Sequence, residues 1–329
     1  KPDHLVSNGA FRLTEFDEMH GLLVRNPDYF GDYTGNLDQF RWKMVPDPAA
    51  VMHGYLSSQF DYVTGLTPID VPVEVPANEF VDIQNLSILG LNLIPDQPPL
   101  DDVRVRRAIA LGLDRERLDE IMFDVRLPPI HGGIVPPGMA GHSPELGLAF
   151  NLDQARQLLT DAGYPGGQGL PILKYYYPGG RMAIAGREEL KRQLAEHLGI
   201  QIELNLLPTN VPWWTAKDSQ LQGGGWTADY PDPDNFLRQS SFYRVLRNRG
   251  WHHPRLEQLL EEAARTTDRA QRLAMYREAD RILVNEEAVV IPLAYSSLGN
   301  VALLKPWVKG MKYNALGSYS LKDIVIEPH

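Results

Sequence analysis

A short acidic segment in the second half of the chain holds the side chains best suited to chemistry. It reads Gly225-Trp226-Thr227-Ala228-Asp229-Tyr230-Pro231-Asp232-Pro233-Asp234-Asn235-Phe236. A carboxylate that loses its water when a ligand covers it needs a charged partner, so Asp229 could bind a cationic group. Asp229 could instead be a turn residue of this proline-rich loop. Asp232 and Asp234 could form a glycosidase pair, but such a turn lacks the apolar pocket that raises one carboxyl pKa.

Three glycines lead into this segment. Gly223, Gly224 and Gly225 have no side chains, so main-chain groups there could approach a ligand closely and bind a peptide in extended form. A bulged or flexible strand end is the alternative. Trp226 is a candidate wall for a side-chain pocket, with a core position as the alternative, and Tyr230 is also predicted to bind the ligand.

A receptor for a carboxylate also needs a cation, and Arg181 is the candidate. It follows Tyr177-Pro178-Gly179-Gly180 on a loop that leads into a predicted helix, although a solvated surface arginine is the alternative. Trp213-Trp214 could stack on a sugar or an aromatic side chain, or form an exposed pair. His252-His253 has no carboxylate or cysteine pattern around it, so we expect no metal and no cofactor.

The composition limits the class of protein. The 329 residues carry a net charge of −10, which disfavours nucleic acid as a partner because phosphate binding needs a surplus of lysine and arginine. Cysteine is absent, which excludes thiol catalysis, cysteine-based zinc sites and disulfides. The chain also lacks G-x-S-x-G, H-E-x-x-H, Walker and G-x-G-x-x-G motifs. The sequence therefore offers no recognisable catalytic motif, and we expect no enzyme.

Turn residues and alternating polarity predict a first part made of short strands. The predicted strands lie at residues 11–16, 22–24, 40–45 and 88–93. A short helix suits residues 51–56. Asp101-Asp102 then indicates the start of one long helix that continues to about Phe123, because acidic residues favour the positive end of a helix dipole.

The middle of the chain alternates helices and strands. Asn151 is predicted to cap a helix, and a strand, a helix and a second strand follow between Ile172 and Leu206. Such a β-α-β unit implies a parallel pair of strands.

The order of these elements predicts a discontinuous outer lobe interrupted by an inserted one. We assign residues 1–92 plus 294–329 to the outer lobe and residues 93–293 to the inserted α/β lobe. The two crossings would form a hinge, and ligands favour clefts between domains.

Short motifs follow one another in a fixed order over nearly the whole chain. They are Ser7-Asn8-Gly9-Ala10-Phe11, Arg25-Asn26-Pro27-Asp28-Tyr29, Pro98–Ile109, Ala155–Pro165, the acidic segment, and Leu259–Pro292. In this order they resemble the dipeptide/oligopeptide-binding proteins, the family 5 extracellular solute-binding proteins of ABC transporters. The third and fourth are similar to the family's P-F-D-D-x-R-V-R-x-A-I and A-x-x-L-L-x-x-A-G-Y.

The resemblance implies a two-lobed α/β fold of the periplasmic-binding-protein type (type II, Venus flytrap). The outer lobe would be incomplete here, since the family's N-terminal part precedes the segment that Ser7 begins. Asp229 matches the family aspartate that pairs with the α-ammonium of a peptide. Some members place an arginine for the ligand carboxylate six residues earlier, where this chain has Gly223.

The resemblance also implies the function and its setting. We expect an extracytoplasmic, monomeric receptor that captures a peptide in an interdomain cleft and delivers it to an ABC-transporter permease. Membrane contact would come only through a lipid anchor upstream of this chain. The alternatives are an oligosaccharide or metal-chelate receptor of the same family, or the ligand-sensing domain of a signalling or regulatory protein.

Overall fold

The computed structural model of the chain describes residues 5–66, 70–81, 83, 85–123, 131–178, 181–207, 216–295 and 301–329. They form two compact units. The first unit comprises the described residues of 1–85 and 297–329, and the second those of 86–296. Within these ranges, no helix combines the length and the apolarity needed to cross a bilayer.

The described part of the first unit consists of short antiparallel strands, one α-helix, α1, and 3₁₀ turns. Its strands are β1 (Phe11–Phe16), β2 (His20–Arg25), β3 (Gln39–Lys43), β4 (Tyr62–Leu66), β5 (Phe80–Val81), β11 (Val301–Leu304), β12 (Val308–Lys309) and β13 (Val325–Ile326). They form sheets in the orders β1-β2-β3, β4-β11-β5 and β12-β13. Helix α1 (Pro48–Leu56) begins after Asp47, whose carboxylate accepts a hydrogen bond from the Ala49 amide, and buries Met52 and Tyr55.

The second unit is built on a mixed five-stranded sheet. Its strands are β6 (Ser87–Leu93), β7 (Leu173–Pro178), β8 (Ile202–Leu207), β9 (Leu221–Thr227) and β10 (Val290–Ala294), in the order β10-β6-β9-β7-β8. The sequence of β6, Ser-Ile-Leu-Gly-Leu-Asn-Leu, does not alternate in polarity, because both of its faces are covered.

Eight helices of the described chain belong to the second unit. They are α2 (Val103–Gly112), α3 (Arg115–Phe123), α4 (Leu152–Asp161), α5 (Arg181–Leu198), α6 (Pro233–Leu237), α7 (Ser241–Asn248), α8 (Pro254–Arg265) and α9 (Arg269–Arg281). A π-helical turn at Ile282–Glu286 continues α9. Leucines and alanines of α2, α4 and α5 pack with Leu91, Leu221 and Tyr175 of the sheet into one core.

The predicted long helix from Asp101 to Phe123 is wrong, because the chain forms two helices there. Asp102 does cap the first, α2, by accepting a hydrogen bond from the Arg104 amide at 2.8 Å. The chain is then extended at Leu113, whose side chain is fully buried. Asp114 begins α3 by accepting from the Arg117 amide at 3.1 Å.

Two other local predictions are confirmed. The Asn151 side chain accepts a hydrogen bond from the Gln154 amide at 3.0 Å and begins α4. Strands β7 and β8 pair in parallel from Leu173↔Ile202 to Pro178↔Leu207, with α5 as the crossover between them. The mixed α/β class that the sequence indicates is therefore observed.

The predicted lobe limits and the observed units divide the chain at different residues. Limits at 92/93 and 293/294 would each cut a strand, since β6 and β10 lie entirely within the second unit. Both strands are held there by pairing, β10 with β6 and β6 with β9. The division into an outer and an inserted lobe stays a prediction.

One buried carboxylate fastens a loop to the second unit. Asp280 is fully buried and accepts a hydrogen bond from the amide of Ile134 at 2.8 Å. The adjacent Gly133 must lack a side chain, because a Cβ there would lie 1.9 Å from an Asp280 carboxylate oxygen. Burial raises the pKa of Asp280 to about 7.

Replacing Asp280 with asparagine should change how stability depends on pH. The folded pKa of about 7 lies above the ordinary value of 3.8, so the folded protein keeps a proton that the unfolded chain releases in between. This contribution to stability is complete below about pH 4 and is lost as the pH rises towards about 7, a change of about 4 kcal/mol. Urea unfolding across this range should show a steeper decline for wild type than for Asp280→Asn. Parallel slopes would contradict a protonated Asp280.

Candidate functional site

The predicted site lies at the C-terminal end of β9 and in the loop and helix that follow. Gly223 and Gly225 have close neighbours: a Cβ at Gly223 would lie 2.3 Å from the Tyr175 hydroxyl, and one at Gly225 would lie 2.9 Å from Leu89 Cδ2. Side chains at these two positions would displace the packing on the sheet. The glycines therefore have a steric reason within the fold itself.

Strand β9 is paired along its whole length on one side only. It pairs with β6 from Leu93↔Leu221 to Ser87↔Thr227, but with β7 only at Tyr175↔Leu221 and Tyr176↔Gln222. Beyond Gln222 the strands β7 and β9 separate, and we call this place the fork. The edge of β9 after the fork has no strand partner among the described residues.

The register shows which main-chain groups face that open edge. The Ala228 amide donates to the Leu86 carbonyl at 2.8 Å, so the alternation of an antiparallel pair also directs Trp226 and Gly224 towards β6. The main-chain groups of Gly225 and Thr227 face the other way. The Gly225 carbonyl accepts a hydrogen bond of 3.3 Å from the Ser241 hydroxyl. Of the three glycines, Gly223 and Gly225 thus direct their main-chain groups away from β6, whereas Gly224 directs its own towards β6.

Two of the three aspartates after the strand are paired with arginines. Asp232 receives two hydrogen bonds from Arg272, at 2.7 and 2.8 Å, and also accepts from the Asp234 amide to begin α6. Asp234 receives two from Arg238, at 2.7 and 2.9 Å. Burial acts to raise the pKa of Asp232, but the bonds from Arg272 outweigh it and hold that pKa below its usual range. A glycosidase acid is therefore not formed here.

Asp229 differs from both of these carboxylates. It is exposed, and its side chain accepts a hydrogen bond from an uncharged group, the Asn235 amide nitrogen, which lies 3.2 Å from Oδ2. No salt bridge joins Asp229 to a cation of the described chain. The predicted alternative role, capping the following turn, belongs to Asp232. Asp229 is therefore the acid of this segment with room for a charged partner.

Asn235 organises this end of the site, and sequence reasoning missed it. Its side chain is fully buried, and its oxygen accepts from Trp226 Nε1 at 2.7 Å and from the Asp229 main-chain amide at 3.1 Å. Its nitrogen donates to the Asp229 carboxylate. The Asn235 side chain therefore connects the C-terminal end of β9, the following loop and α6. The available signal was its place in the acidic segment, one residue before Phe236.

The aromatic candidates lie at the surface of this arrangement. Trp226 is half-buried, and the guanidinium carbon of Arg244 lies 5.1 Å from its ring centroid. Tyr230 is 39% exposed, and its hydroxyl donates to Asp234 at 3.0 Å. Neither aromatic ring belongs to the apolar core, so the rings of Trp226 and Tyr230 both remain candidates for ligand contact.

Three other predictions meet the structure differently. Arg181 begins α5, but its side chain lies outside the described part, as does Trp213-Trp214. His253 Nδ1 accepts from the Leu256 amide at 3.1 Å and begins α8. His252 contacts Glu257 at 3.1 Å. These histidines thus have local structural contacts.

Comparison with known proteins places this chain among solute-binding proteins. Residues 1–244 match the family model described as bacterial extracellular solute-binding proteins, family 5 middle. The periplasmic oligopeptide-binding protein OppA of Escherichia coli is 27% identical over 331 residues, covering 94% of this chain and 58% of that protein. The dipeptide-binding protein DppE of Bacillus subtilis is 25% identical over 343 residues, covering 97% of this chain and 60% of that protein.

A solved structure has the same fold. Haemophilus influenzae OppA, in complex with the peptide RPPGFSPFR, matches with a TM-score of 0.80 at 20% sequence identity. The match covers 100% of this chain and 66% of that one. This chain therefore spans about three fifths of the length of the curated relatives it matches.

Replacing Asn235 with alanine should destabilise the second unit. The Trp226 indole N–H and the Asp229 amide would lose their shared acceptor, and an unsatisfied buried donor costs about 1–3 kcal/mol. Urea unfolding of Asn235→Ala measures this loss. The exposed Asn248 at the end of α7 gives the control, Asn248→Ala, which should change stability by no more than about 0.5 kcal/mol. Equal stability of the two variants would contradict the role of Asn235.

Proposed function

We propose, since the chain belongs to family 5 of the bacterial extracellular solute-binding proteins, that it captures a small peptide for uptake by an ABC transporter. Its relatives are named for binding oligopeptides and dipeptides, and one solved neighbour holds a nine-residue peptide. These are receptors, which is consistent with a chain that does no catalysis.

The observation that carries the proposal is the open edge of β9 at Gly225 and Thr227. An extended peptide can add to an exposed strand edge through main-chain hydrogen bonds, which are independent of its side chains. Gly225 places no side chain of its own in the way, and its carbonyl, which already accepts from the Ser241 hydroxyl, has a second lone pair for a ligand. A receptor built in this way would accept many sequences of similar length.

Asp229 supports the proposal at one end of this edge. An exposed carboxylate that is tied to Asn235 yet forms no salt bridge within the described chain can receive the α-ammonium of a peptide. Charge-assisted hydrogen bonds of this kind are roughly twice as strong as neutral ones. The ammonium would set the direction of the peptide, with its first residue at Asp229 and its later residues towards Gly225. Trp226 and Tyr230 would then contact ligand side chains.

The setting is part of the same proposal. The family's receptors are extracytoplasmic, and such a receptor would deliver its peptide to the transporter's permease. We further propose that the protein works as a monomer held near the membrane by an upstream lipid anchor.

Thermal unfolding with and without a pool of peptides of about two to five residues tests the function. Ligand at a hundred times its dissociation constant adds about 2.7 kcal/mol of stability, enough to raise the midpoint by a few degrees. We expect this rise for wild type and its loss for Asp229→Asn, because asparagine cannot form the ion pair.

The control for that variant is Asp153→Asn. Asp153 is an exposed carboxylate in the first turn of α4, away from the acidic segment in sequence, so this change removes the same charge. It should leave the peptide-dependent rise intact. A wild type whose midpoint is unmoved by every peptide would reject peptide capture by this chain. A rise that survives in Asp229→Asn would reject only the role of Asp229.

A further inference from the structure

The acidic segment that contains Asp229 contacts one face of helix α9. Arg272, Tyr276 and Asp280 recur every four residues along this helix, so their side chains lie on the same face. Tyr276 and Asp280 are buried, and Arg272 is half-buried. Asp280, at one end of the face, holds the amide of Ile134. The other two residues of this face contact the acidic segment.

Arg272 makes most of this contact. Its guanidinium donates two hydrogen bonds to Asp232, at 2.7 and 2.8 Å, and one to the Tyr276 hydroxyl at 3.1 Å. It also donates to the main-chain carbonyl of Ala263, near the end of α8, at 3.1 Å. Arg272 therefore joins the acidic segment to α8 and α9 at the same time. A planar guanidinium with several donors fixes the geometry of such a contact, which a point charge does not.

Tyr276 holds a second acid of the segment. Burial raises the pKa of Tyr276 to about 12, so its hydroxyl keeps its proton at neutral pH. The hydroxyl donates to Asp234 Oδ1 at 3.3 Å and accepts from Arg272. Two residues that lie one helical turn apart on α9 therefore contact both acids at the start of α6, the capping residue Asp232 and the first-turn residue Asp234.

Helix α6 depends on these contacts for its position. It has five residues, Pro233–Leu237, and a helix of this length is not stable on its own. The ion pair between Asp234 and Arg238 is local to α6, so it cannot fix this helix relative to the rest of the unit. Burial of Phe236 favours packing of α6, but the hydrophobic effect has no direction. The two bonds from Arg272, which lies forty positions after Asp232, supply that direction.

Asn235 links the position of α6 to the position of Asp229. It lies in the middle of α6, where its oxygen accepts from the Asp229 amide at 3.1 Å and its nitrogen donates to the Asp229 carboxylate at 3.2 Å. A displacement of α6 would move both of these atoms. A binding group must be held within about 0.5 Å of its productive geometry by the residues that support it. A small movement of α6 would therefore weaken a bond that a ligand makes to Asp229.

We propose that Arg272 is a positioning residue that holds Asp229 in place for the ammonium group of the captured ligand. The inference rests on the proposed function and deepens it, because a residue outside the site then determines the affinity for one charged end of the ligand. The contacts run from Arg272 to Asp232, through α6 to Asn235, and from Asn235 to Asp229. A residue that only stabilised the fold would not discriminate between ligands with and without the ammonium group.

A double-mutant cycle on the ligand amine and on Arg272 tests this role. Calorimetry at neutral pH would compare Ala-Ala-Tyr-Ala with its N-acetylated form, on wild type and on Arg272→Met. Acetylation removes the ammonium group, and loss of a hydrogen bond from a charged group predicts at least about tenfold weaker binding by wild type. We expect Arg272→Met to reduce this penalty to less than about threefold and to bind the acetylated peptide as wild type does. A penalty of wild-type size in Arg272→Met would overturn the inference.

The matched control is Arg255→Met. Arg255 lies on α8 and donates two hydrogen bonds to Glu278 of α9, at 2.8 and 3.1 Å, so it also joins these helices through a carboxylate. It differs from Arg272 because the carboxylate it holds is on α9 and not in the acidic segment. Its replacement should leave the acetylation penalty at its wild-type size. An equal reduction of the penalty in Arg255→Met and Arg272→Met would show a general loosening of the unit and would reject a specific role for Arg272.

A second measurement needs no peptide. The Trp226 indole N–H donates to Asn235 Oδ1 at 2.7 Å, so its exchange with heavy water reports how firmly α6 is held. In protein labelled with ¹⁵N-tryptophan, this signal is assigned by its loss in Trp226→Phe. We expect exchange at least about tenfold faster in Arg272→Met than in Arg255→Met.

The two measurements separate the inference from the function on which it rests. Faster exchange in Arg272→Met, with no peptide bound by wild type, would reject peptide capture and support the positioning of the loop by Arg272. Equal exchange in Arg272→Met and Arg255→Met would overturn the inference. Arg272→Lys, which keeps one positive charge, takes the place of Arg272→Met if urea unfolding shows that the methionine variant does not fold.

Discussion

Strand β9 lies between β6 and β7 but pairs with them over unequal lengths. Its antiparallel pairing with β6 runs the full length of the strand, whereas its parallel pairing with β7 ends after two residues. The main-chain groups of Gly225 and Thr227 are therefore presented inside a sheet but without a strand partner in the described chain. The early end of the pairing with β7 is the constraint that the rest of the site depends on. It determines where the glycines, the following loop and α6 lie beside unpaired main-chain groups.

The carboxylates near that edge are of two kinds, those in ion pairs with arginines and one without such a pair in the described chain. Arg272 and Arg238 form ion pairs with Asp232 and Asp234 and fix α6, so these acids shape the loop. Asp229 accepts a hydrogen bond from the uncharged amide of Asn235 and forms no salt bridge within the described chain. A carboxylate that is removed from water needs a cationic partner. Asp232 and Asp234 have arginine partners within the chain, so Asp229 is the aspartate of this segment that would need its partner from a ligand.

Local signals in the sequence predicted most elements of the fold, but contacts across long distances were not predictable. Asn151 and Asp102 could be read as helix caps because the interaction spans only two or three residues. The break at Leu113 was missed, since helix propensity continues through it and only burial of that side chain favours the extended conformation. The parallel strands followed from the β-α-β order alone.

At the candidate site, too, local signals were readable from the sequence and long-range contacts were not. Residue type and motif singled out Asp229 and the glycines as candidates, but which aspartate is paired depends on Arg272, forty positions after Asp232 in the chain. Asn235 was passed over because a buried amide leaves no periodic signal in the sequence.

The open edge of β9 also affects the tendency of the protein to aggregate. An exposed strand edge is a template on which another chain can grow a sheet, and long, flat, apolar edges are the ones that aggregate. Here the exposed part is short, it contains a residue of low strand propensity in Gly225, and a negatively charged Asp229 stands at its end. A neighbouring copy of the protein, with a net charge of −10, would meet like charge there. The features that would favour the short, cationic-ended strand proposed above therefore also disfavour the addition of a long anionic one.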